Sequence, residues 1–137
     1  MTNRDVLIEK VNSIQNCLKR IHDTVQGNLD RVDLLDVQDI VVLNLQRAVQ
    51  LVIDMASYVV SVEKMGLIQT LKDLFQILEK NQIITQGISL KMQKMVGFRN
   101  IAVHDYQAID PKILKSIISH HLGDIEEFYE MVLRKLP

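Results

Sequence analysis

Apolar residues recur along the first 26 positions at alternating intervals of four and three residues. They are Leu7, Val11, Ile14, Leu18, Ile21 and Val25. This spacing places all of them on one seam of an α-helix, and we predict a first helix from about Asp5 to Gln26. Gly27 and Asn28 follow as a helix stop.

The next apolar segment predicts a second long helix that runs to about Met65, with Asp30 or Asp33 as its N-cap. Its apolar positions cover well over half of the helix circumference. They are Val37, Ile40, Val41, Val42, Leu45, Val49, Val52, Ile53, Ala56, Val59 and Val60. A helix this apolar must be covered on more than one side. Either the rest of the bundle or a second copy of the chain could provide the cover, and the sequence leaves both open.

The same helix is long enough to cross a membrane, but a polar stripe argues against it. The stripe contains the charged residues Asp39, Arg47 and Asp54, and it is completed at intervals of mostly three or four residues by Gln46, Gln50, Ser57 and Ser61. Each charge would cost about 2.5–3.5 kcal/mol in hydrocarbon. We therefore predict a buried helix of a soluble protein, without a membrane partner.

Weaker periodicity and clear capping residues define the rest of the chain. A short third helix spans Leu71 to Leu78 and ends near Lys80-Asn81; Thr85 is the N-cap of a fourth. Asp110 followed by Pro111 opens a final amphipathic helix that reaches Leu136. With only five Gly and two Pro, the chain is poor in turns. We predict an all-α, five-helix bundle with two long antiparallel helices, and one domain over residues 1–137.

Composition narrows the function classes. The net charge of −1 argues against a broadly basic protein that coats nucleic acid, although it allows a local basic cleft. A single Cys17 cannot form an internal disulfide, and the N-terminus has no apolar signal core, so we expect a cytoplasmic protein. No Cys/His spacing suggests a metal site, and we expect neither a metal nor a cofactor. We assign no role to His22, His120 or His121.

Residues 97–106 concentrate the reactive side chains of the chain. Arg99, Asn100, His104, Asp105 and Tyr106 fall at the end of the fourth predicted helix. Imidazole titrates near neutrality and can act as a general base or acid, whereas a guanidinium stays charged and binds phosphate oxygens. These are the groups that RNA cleavage without a metal requires. We predict catalytic roles for Arg99, His104 and Asn100, with Asp105 in support.

Two features of this segment leave room for another interpretation. Arg99 and His104 point about 140° apart on an ideal helix, so one copy presents them poorly to a single phosphate. Two copies meeting across a two-fold axis would correct this and would supply two imidazoles. Conversely, a polar cluster that caps a helix explains the same residues, because His⁺ at a C-terminus interacts favourably with the helix dipole.

The segment from Gly97 to Tyr106 resembles the Arg-polar-x3-His-x-Tyr motif of the HEPN superfamily, in its branch of HepT-like toxins. The resemblance extends over essentially the whole chain, including the motif at the end of the fourth helix and the Ile-Asp-Pro that opens the fifth. It implies a dimeric, metal-independent endoribonuclease that is the toxin of a type VII toxin–antitoxin pair.

The resemblance also implies a partner and a modification. An MntA-like nucleotidyltransferase antitoxin would transfer AMP from ATP to the motif tyrosine, which is Tyr106 here. AMP at this position would place a phosphate where the RNA phosphate should lie. A different class of function is a non-enzymatic helical subunit that binds nucleotide or supports the nucleotidyltransferase.

Overall fold

The computed structural model describes residues 1–136, which fold into six α-helices and two short 3-10 turns. The helices are α1 (Asn3–Val25), α2 (Leu35–Val62), α3 (Leu71–Lys80), α4 (Gln86–His104), α5 (Pro111–His120) and α6 (Leu122–Lys135). The 3-10 turns are Leu29–Asp33, before α2, and Tyr106–Ala108, after α4. The predicted all-α class is confirmed.

The two longest helices, α1 and α2, pack against each other in opposite directions. Near one end, the Tyr58 hydroxyl donates to Asn3 Oδ1 over 2.7 Å. Towards the other end, Arg20 Nη1 lies 3.5 Å from Asn44 Oδ1. The start of α1 therefore contacts the end of α2, and the end of α1 contacts the first half of α2. This confirms the predicted antiparallel pair.

Helix α2 is the centre of the bundle, with α1, α3, α4 and α6 packed around it. All the apolar positions predicted for its wide face are buried except Ile40, which is 45% exposed. Of the two possible covers, the bundle itself accounts for nearly the whole face. By length and composition α2 could cross a membrane, but 56% of its most apolar window is buried inside the protein, as for a core helix.

The predicted caps of α4 and α5 are confirmed, but that of α2 is wrong. Thr85 Oγ1 accepts from the Ile88 N–H at 3.2 Å, and Asp110 Oδ1 accepts from the Lys112 N–H at 2.9 Å. Helix α2 instead begins after Leu34, which has no side chain that could cap it. Asp30 and Asp33 belong to the 3-10 turn, and their carboxylates face Lys115 of α5 at 3.7 and 3.0 Å.

The final helix, predicted as one, is divided at His121 into α5 and α6. His121 leaves the helical conformation with φ −125° and ψ −6°, and Gly123, a weak helix former, follows two residues later. Helix α5 packs on the turn at 29–33, whereas α6 packs on α4 and α1. His121 Nδ1 lies 2.9 Å from Asp124 Oδ2, so this histidine holds the first turn of α6. The apolar stripe continues through the break, so the break is not visible in the sequence.

Candidate active site

The predicted site residues lie on the last two turns of α4 and on the 3-10 turn that follows. Helix α4 ends at His104, and the Asp105 N–H closes it by donating to the Ile101 carbonyl at 2.8 Å. Tyr106 begins the 3-10 turn. The helix thus ends between His104 and Asp110, as the proline at 111 predicts.

Arg99 is half-buried and is held by two side-chain oxygens. Its Nη2 donates to Gln50 Oε1 of α2 at 2.6 Å, and its Nη1 donates to Asn100 Oδ1 at 2.8 Å. Gln50 Nε2 in turn donates to Asp54 Oδ1 at 3.0 Å. Because Asp54 accepts from the amide nitrogen, the amide oxygen of Gln50 is directed at the guanidinium. Packing against α2 therefore fixes the direction in which Arg99 points.

One nitrogen of Arg99 has no hydrogen-bond partner. Among the side chains of residues 1–136, Arg99 Nε is the buried polar atom without one. A buried donor left unpaired costs about 1–3 kcal/mol of stability, and native proteins contain few of them. Strain of this kind is typical of a functional position.

Tyr106 faces a second polar residue of α2. Its hydroxyl donates to Asp39 Oδ1. Burial of the ring, followed by the hydrogen bond and the negative charge of Asp39, raises the pKa of Tyr106 to about 12. The phenol is therefore neutral and fixed in direction near pH 7, with a carboxylate in contact with its proton.

The structure brings some of the predicted catalytic residues together and leaves others apart. Arg99 and Asn100 are hydrogen-bonded to each other. His104 is exposed on the last turn of α4, one turn beyond Asn100, and forms no side-chain hydrogen bond within residues 1–136. Asp105 is also exposed, and its supporting role stays a prediction. Within the chain, Arg99 is hydrogen-bonded inward to α2 while His104 faces solvent.

A family model described as ribonuclease HepT-like matches residues 14–132, a range that includes every residue of the site. The chain belongs to the HepT-like family. It is 38% identical over 128 residues to the mRNA nuclease HepT of Shewanella oneidensis strain MR-1, across 93% of this chain and 96% of that protein.

Solved structures agree with this membership. One is the tri-AMPylated Shewanella oneidensis HEPN toxin in complex with its MNT antitoxin, which is 38% identical, has a TM-score of 0.89, and matches 96% of this chain and 98% of that one. A toxin–antitoxin structure with AMP-PNP has a TM-score of 0.88 at 38% identity, covering 93% of this chain and 97% of that one. YutE of Bacillus subtilis has a TM-score of 0.84 at 14% identity, over 97% of this chain and 90% of YutE, and shows the fold alone.

The α2 side chains of the site are the residues that sequence reasoning missed. Asp39, Gln50 and Asp54 belong to the polar stripe of α2, whose spacing in the sequence indicated only that the helix does not span a membrane. Their signal was present, because polar groups on an otherwise apolar core helix need partners. What the sequence did not show is that the partners are Arg99 and Tyr106 of this HepT-like motif.

Exposed apolar side chains flank the motif. On α2, Ile40 and Leu43 lie within about one turn of Asp39, and they are 45% and 43% exposed. On the last turn of α4, Ile101 and Val103 are each 45% exposed. Because Asp39 contacts Tyr106, these two groups lie at the same end of the α2–α4 pair. Exposed apolar side chains grouped at one end of a helix pair are typical of a protein–protein interface.

Proposed function

We propose that this HepT-like chain is the toxin of a toxin–antitoxin pair and a metal-independent endoribonuclease of the cytoplasm. The observation that carries the proposal is the fixed guanidinium of Arg99 at the end of α4, five residues before the exposed imidazole of His104. Its family relative in Shewanella oneidensis is named an mRNA nuclease, and RNA is the substrate we assign here.

The reaction needs two proton transfers and one charge stabilisation. An imidazole of His104 takes the proton of the ribose 2′-hydroxyl, whose oxygen attacks the adjacent phosphorus. The bond from phosphorus to the 5′-oxygen breaks, and a second imidazole protonates that oxygen. The products are a 2′,3′-cyclic phosphate and a 5′-hydroxyl. Arg99 stabilises the charge on the non-bridging oxygens, and the amide of Asn100 keeps the guanidinium aligned.

Two imidazoles require two copies of the chain. In one protomer the guanidinium faces α2 and His104 faces solvent, so a second copy must complete the site. The exposed surface of Ile40, Leu43, Ile101 and Val103 beside the motif is suited to that contact. We therefore propose a homodimer that brings the two α4 ends together over one RNA strand. Light scattering should give twice the protomer mass, and replacing Leu43 and Ile101 by Glu should give monomers that do not cleave RNA.

Tyr106 is the proposed site of AMPylation by a nucleotidyltransferase antitoxin of the MntA type. The phenol oxygen attacks the α-phosphorus of ATP, the bond from that phosphorus to the bridging oxygen breaks, and pyrophosphate leaves. Asp39 already accepts the hydrogen bond of the phenol, and we assign it the role of taking its proton. The AMP then adds a phosphate and a base beside Arg99 and His104, which excludes RNA.

Cleavage assays with matched variants test the catalytic assignment. The purified chain should cleave RNA in the presence of EDTA, while Arg99→Ala and His104→Ala should each lower the rate by about 10²-fold or more with the helical content unchanged. His120→Ala, which removes an exposed histidine of α5 outside the site, should match the unmodified chain. Full activity in both site variants would refute the assignment and favour the non-enzymatic subunit.

The modification is tested by mass. Incubation with the antitoxin and ATP should add one or more AMP groups and stop cleavage. Tyr106→Phe should stay unmodified, whereas Tyr58→Phe, which removes a phenol bonded to Asn3 at the far end of α2, should be modified normally. Modification of the Tyr106→Phe chain would show that AMP is attached to another residue.

A further inference from the structure

A groove between α1 and α2 adjoins the active site and carries positive charge. It has a volume of about 390 Å³, and its polar walls are formed by Ser13, Asn16 and Arg20 of α1 and by Arg47 and Gln50 of α2. No carboxylate is among the described residues that line it. The overall charge of the chain is −1, so this local concentration of guanidinium groups stands out from the rest of the surface.

Arg20 and Arg47 converge on this groove without carboxylate partners. Neither forms an ion pair within residues 1–136, and Arg20 has only the neutral Asn44 oxygen at 3.5 Å. Both guanidinium groups act to lower the pKa of the buried Cys17 thiol in the floor of the groove, against the larger effect of burial, which raises it. The nearby Asp23 pairs with Lys19 at 3.3 Å. Two unneutralised guanidinium groups on facing helices form an anion-binding surface.

Gln50 links the groove to the active site. This residue lines the groove and accepts the hydrogen bond of Arg99 Nη2 at 2.6 Å. Arg47 precedes Gln50 by three residues on α2, an axial rise of about 4.5 Å. A strand whose scissile phosphate lies at Arg99 would therefore meet Arg47 and then Arg20 as it leaves the site.

We propose that the α1–α2 groove binds the RNA strand beside the cleaved bond, with Arg20 and Arg47 holding its phosphates. This proposal rests on the proposed ribonuclease function. Guanidinium groups bind phosphate oxygens through paired N–H groups, and the hydroxyl of Ser13 and the amide of Asn16 provide the neutral contacts that proteins make to phosphate and ribose. The groove supplies affinity for the strand, whereas the motif supplies the chemistry.

RNA binding by the full-length chain tests the groove. The background is His104→Ala, which stops cleavage, and the probe is a short fluorescein-labelled single-stranded RNA followed by anisotropy over a series of salt concentrations. Arg20→Ala and Arg47→Ala should each weaken binding about tenfold, and each should reduce the slope of log affinity against log salt by about 0.7, the value for one phosphate contact on a single strand. Arg134→Ala, an exposed arginine of α6, should change neither.

Cleavage kinetics provide a second measurement. With His104 intact, the Arg20→Ala/Arg47→Ala chain should show a raised KM for RNA and an unchanged kcat, because the contacts are equal in the ground state and the transition state. In the His104→Ala background, equal affinity and salt slope for the groove variants and for Arg134→Ala would refute RNA binding by the groove. If Arg99→Ala still abolishes cleavage in that case, the ribonuclease function is unaffected. A wild-type chain that neither binds nor cleaves RNA would refute both the RNA-binding groove and the ribonuclease function.

The oligomeric state completes the test. Both arginines are exposed in the protomer, so their removal should leave the mass by light scattering and the melting temperature unchanged. If the double variant dissociates into monomers instead, the groove is part of the contact between subunits, and the proposed role in RNA binding is wrong.

Discussion

Replacing Asp39 by Asn removes the negative charge that faces the Tyr106 phenol and keeps the size of the side chain. The hydrogen bond from Tyr106 to Asp39 is the observation on which this prediction depends. In the proposed AMPylation, the carboxylate takes the phenol proton as the oxygen attacks ATP. The amide oxygen of Asn can still accept the hydrogen bond that orients the phenol, but it cannot take the proton. The variant therefore tests deprotonation of the phenol while keeping its orientation.

The expected change in pKa follows from the three causes that raise it in the unmodified chain. Burial of the ring is the largest, and the hydrogen bond and charge of Asp39 are the other two; together they raise the pKa of Tyr106 from 10 to about 12. Asp39→Asn removes the charge and weakens the hydrogen bond, but the ring stays half-buried. We therefore expect a pKa below 12 and above 10.

The same shift predicts how the pair affects stability at different pH values. The pKa of Tyr106 is higher in the folded chain than in the unfolded one, so the contribution is complete below pH 10 and is lost as pH rises through about 12. A rise from 10 to 12 corresponds to about 2.7 kcal/mol. Burial, the largest cause of the shift, only disfavours the phenolate, and solvent screens the exposed Asp39, so the pair itself contributes at most about 1 kcal/mol. The free energy of unfolding of Tyr106→Phe should be lower than that of the unmodified chain by up to this amount at pH 8 and by little at pH 12.

Two measurements follow Asp39→Asn. Tyrosine-labelled NMR reports the titration of Tyr106 separately from Tyr58 and Tyr129. The AMPylation rate, measured by mass spectrometry with the antitoxin and ATP, should fall by about 10²-fold at pH 7.5, a usual value for loss of a general base. It should then recover by about tenfold per pH unit up to the new pKa, because the phenolate forms without help.

The result that would refute this reasoning is a normal AMPylation rate at pH 7.5 in Asp39→Asn. It would show that the proton leaves to another group, such as one on the antitoxin. An unchanged Tyr106 titration would in addition show that the carboxylate does not contact the phenol in solution. Either result leaves Tyr106 itself as the proposed acceptor of AMP, since Tyr106→Phe tests that separately.

Variants at Arg99, Gln50 and Phe75 test the side-chain contacts of the site and of the core. Arg99→Lys keeps the charge but replaces the planar fork whose two nitrogens bind Asn100 and Gln50 with a single nitrogen, so RNA cleavage should fall by about 10²-fold, measured as kcat. Gln50→Ala should lower kcat by about tenfold through misdirection of the guanidinium, and Gln50→Glu, which can still accept the bond, should lower it less. Phe75→Ala removes a fully buried ring that packs edge-to-face on Phe128 with centroids 6.0 Å apart, and it should cost about 3–5 kcal/mol in denaturant unfolding.

Features that depend on neighbouring residues were predictable. The apolar period sets the extent of α1 and α2, and the caps at Thr85 and Asp110 are local hydrogen bonds between residues two or three positions apart. The reactive segment at 99–106 is visible for the same reason, since its members are nearly consecutive. Its resemblance to the HepT-like motif identified the family that the comparison with known proteins confirmed.

Features that depend on distant residues were not predictable. Asp30 and Asp33 do not cap α2, because Lys115, more than 80 positions away, holds both carboxylates from α5. The final helix breaks at His121, because its two halves pack on different neighbours while its apolar stripe runs on unchanged.

The sequence by itself determined which segments are helical, which of their faces are apolar, and which segment holds the reactive side chains. Only the tertiary structure decided that Gln50 directs Arg99 from 49 positions away and that Asp39 accepts from Tyr106 across 67 positions. Helical period specifies that a polar residue lies on a given face of its own helix. Which group it meets there depends on how the apolar faces of separate helices pack, and that packing is a property of the whole chain.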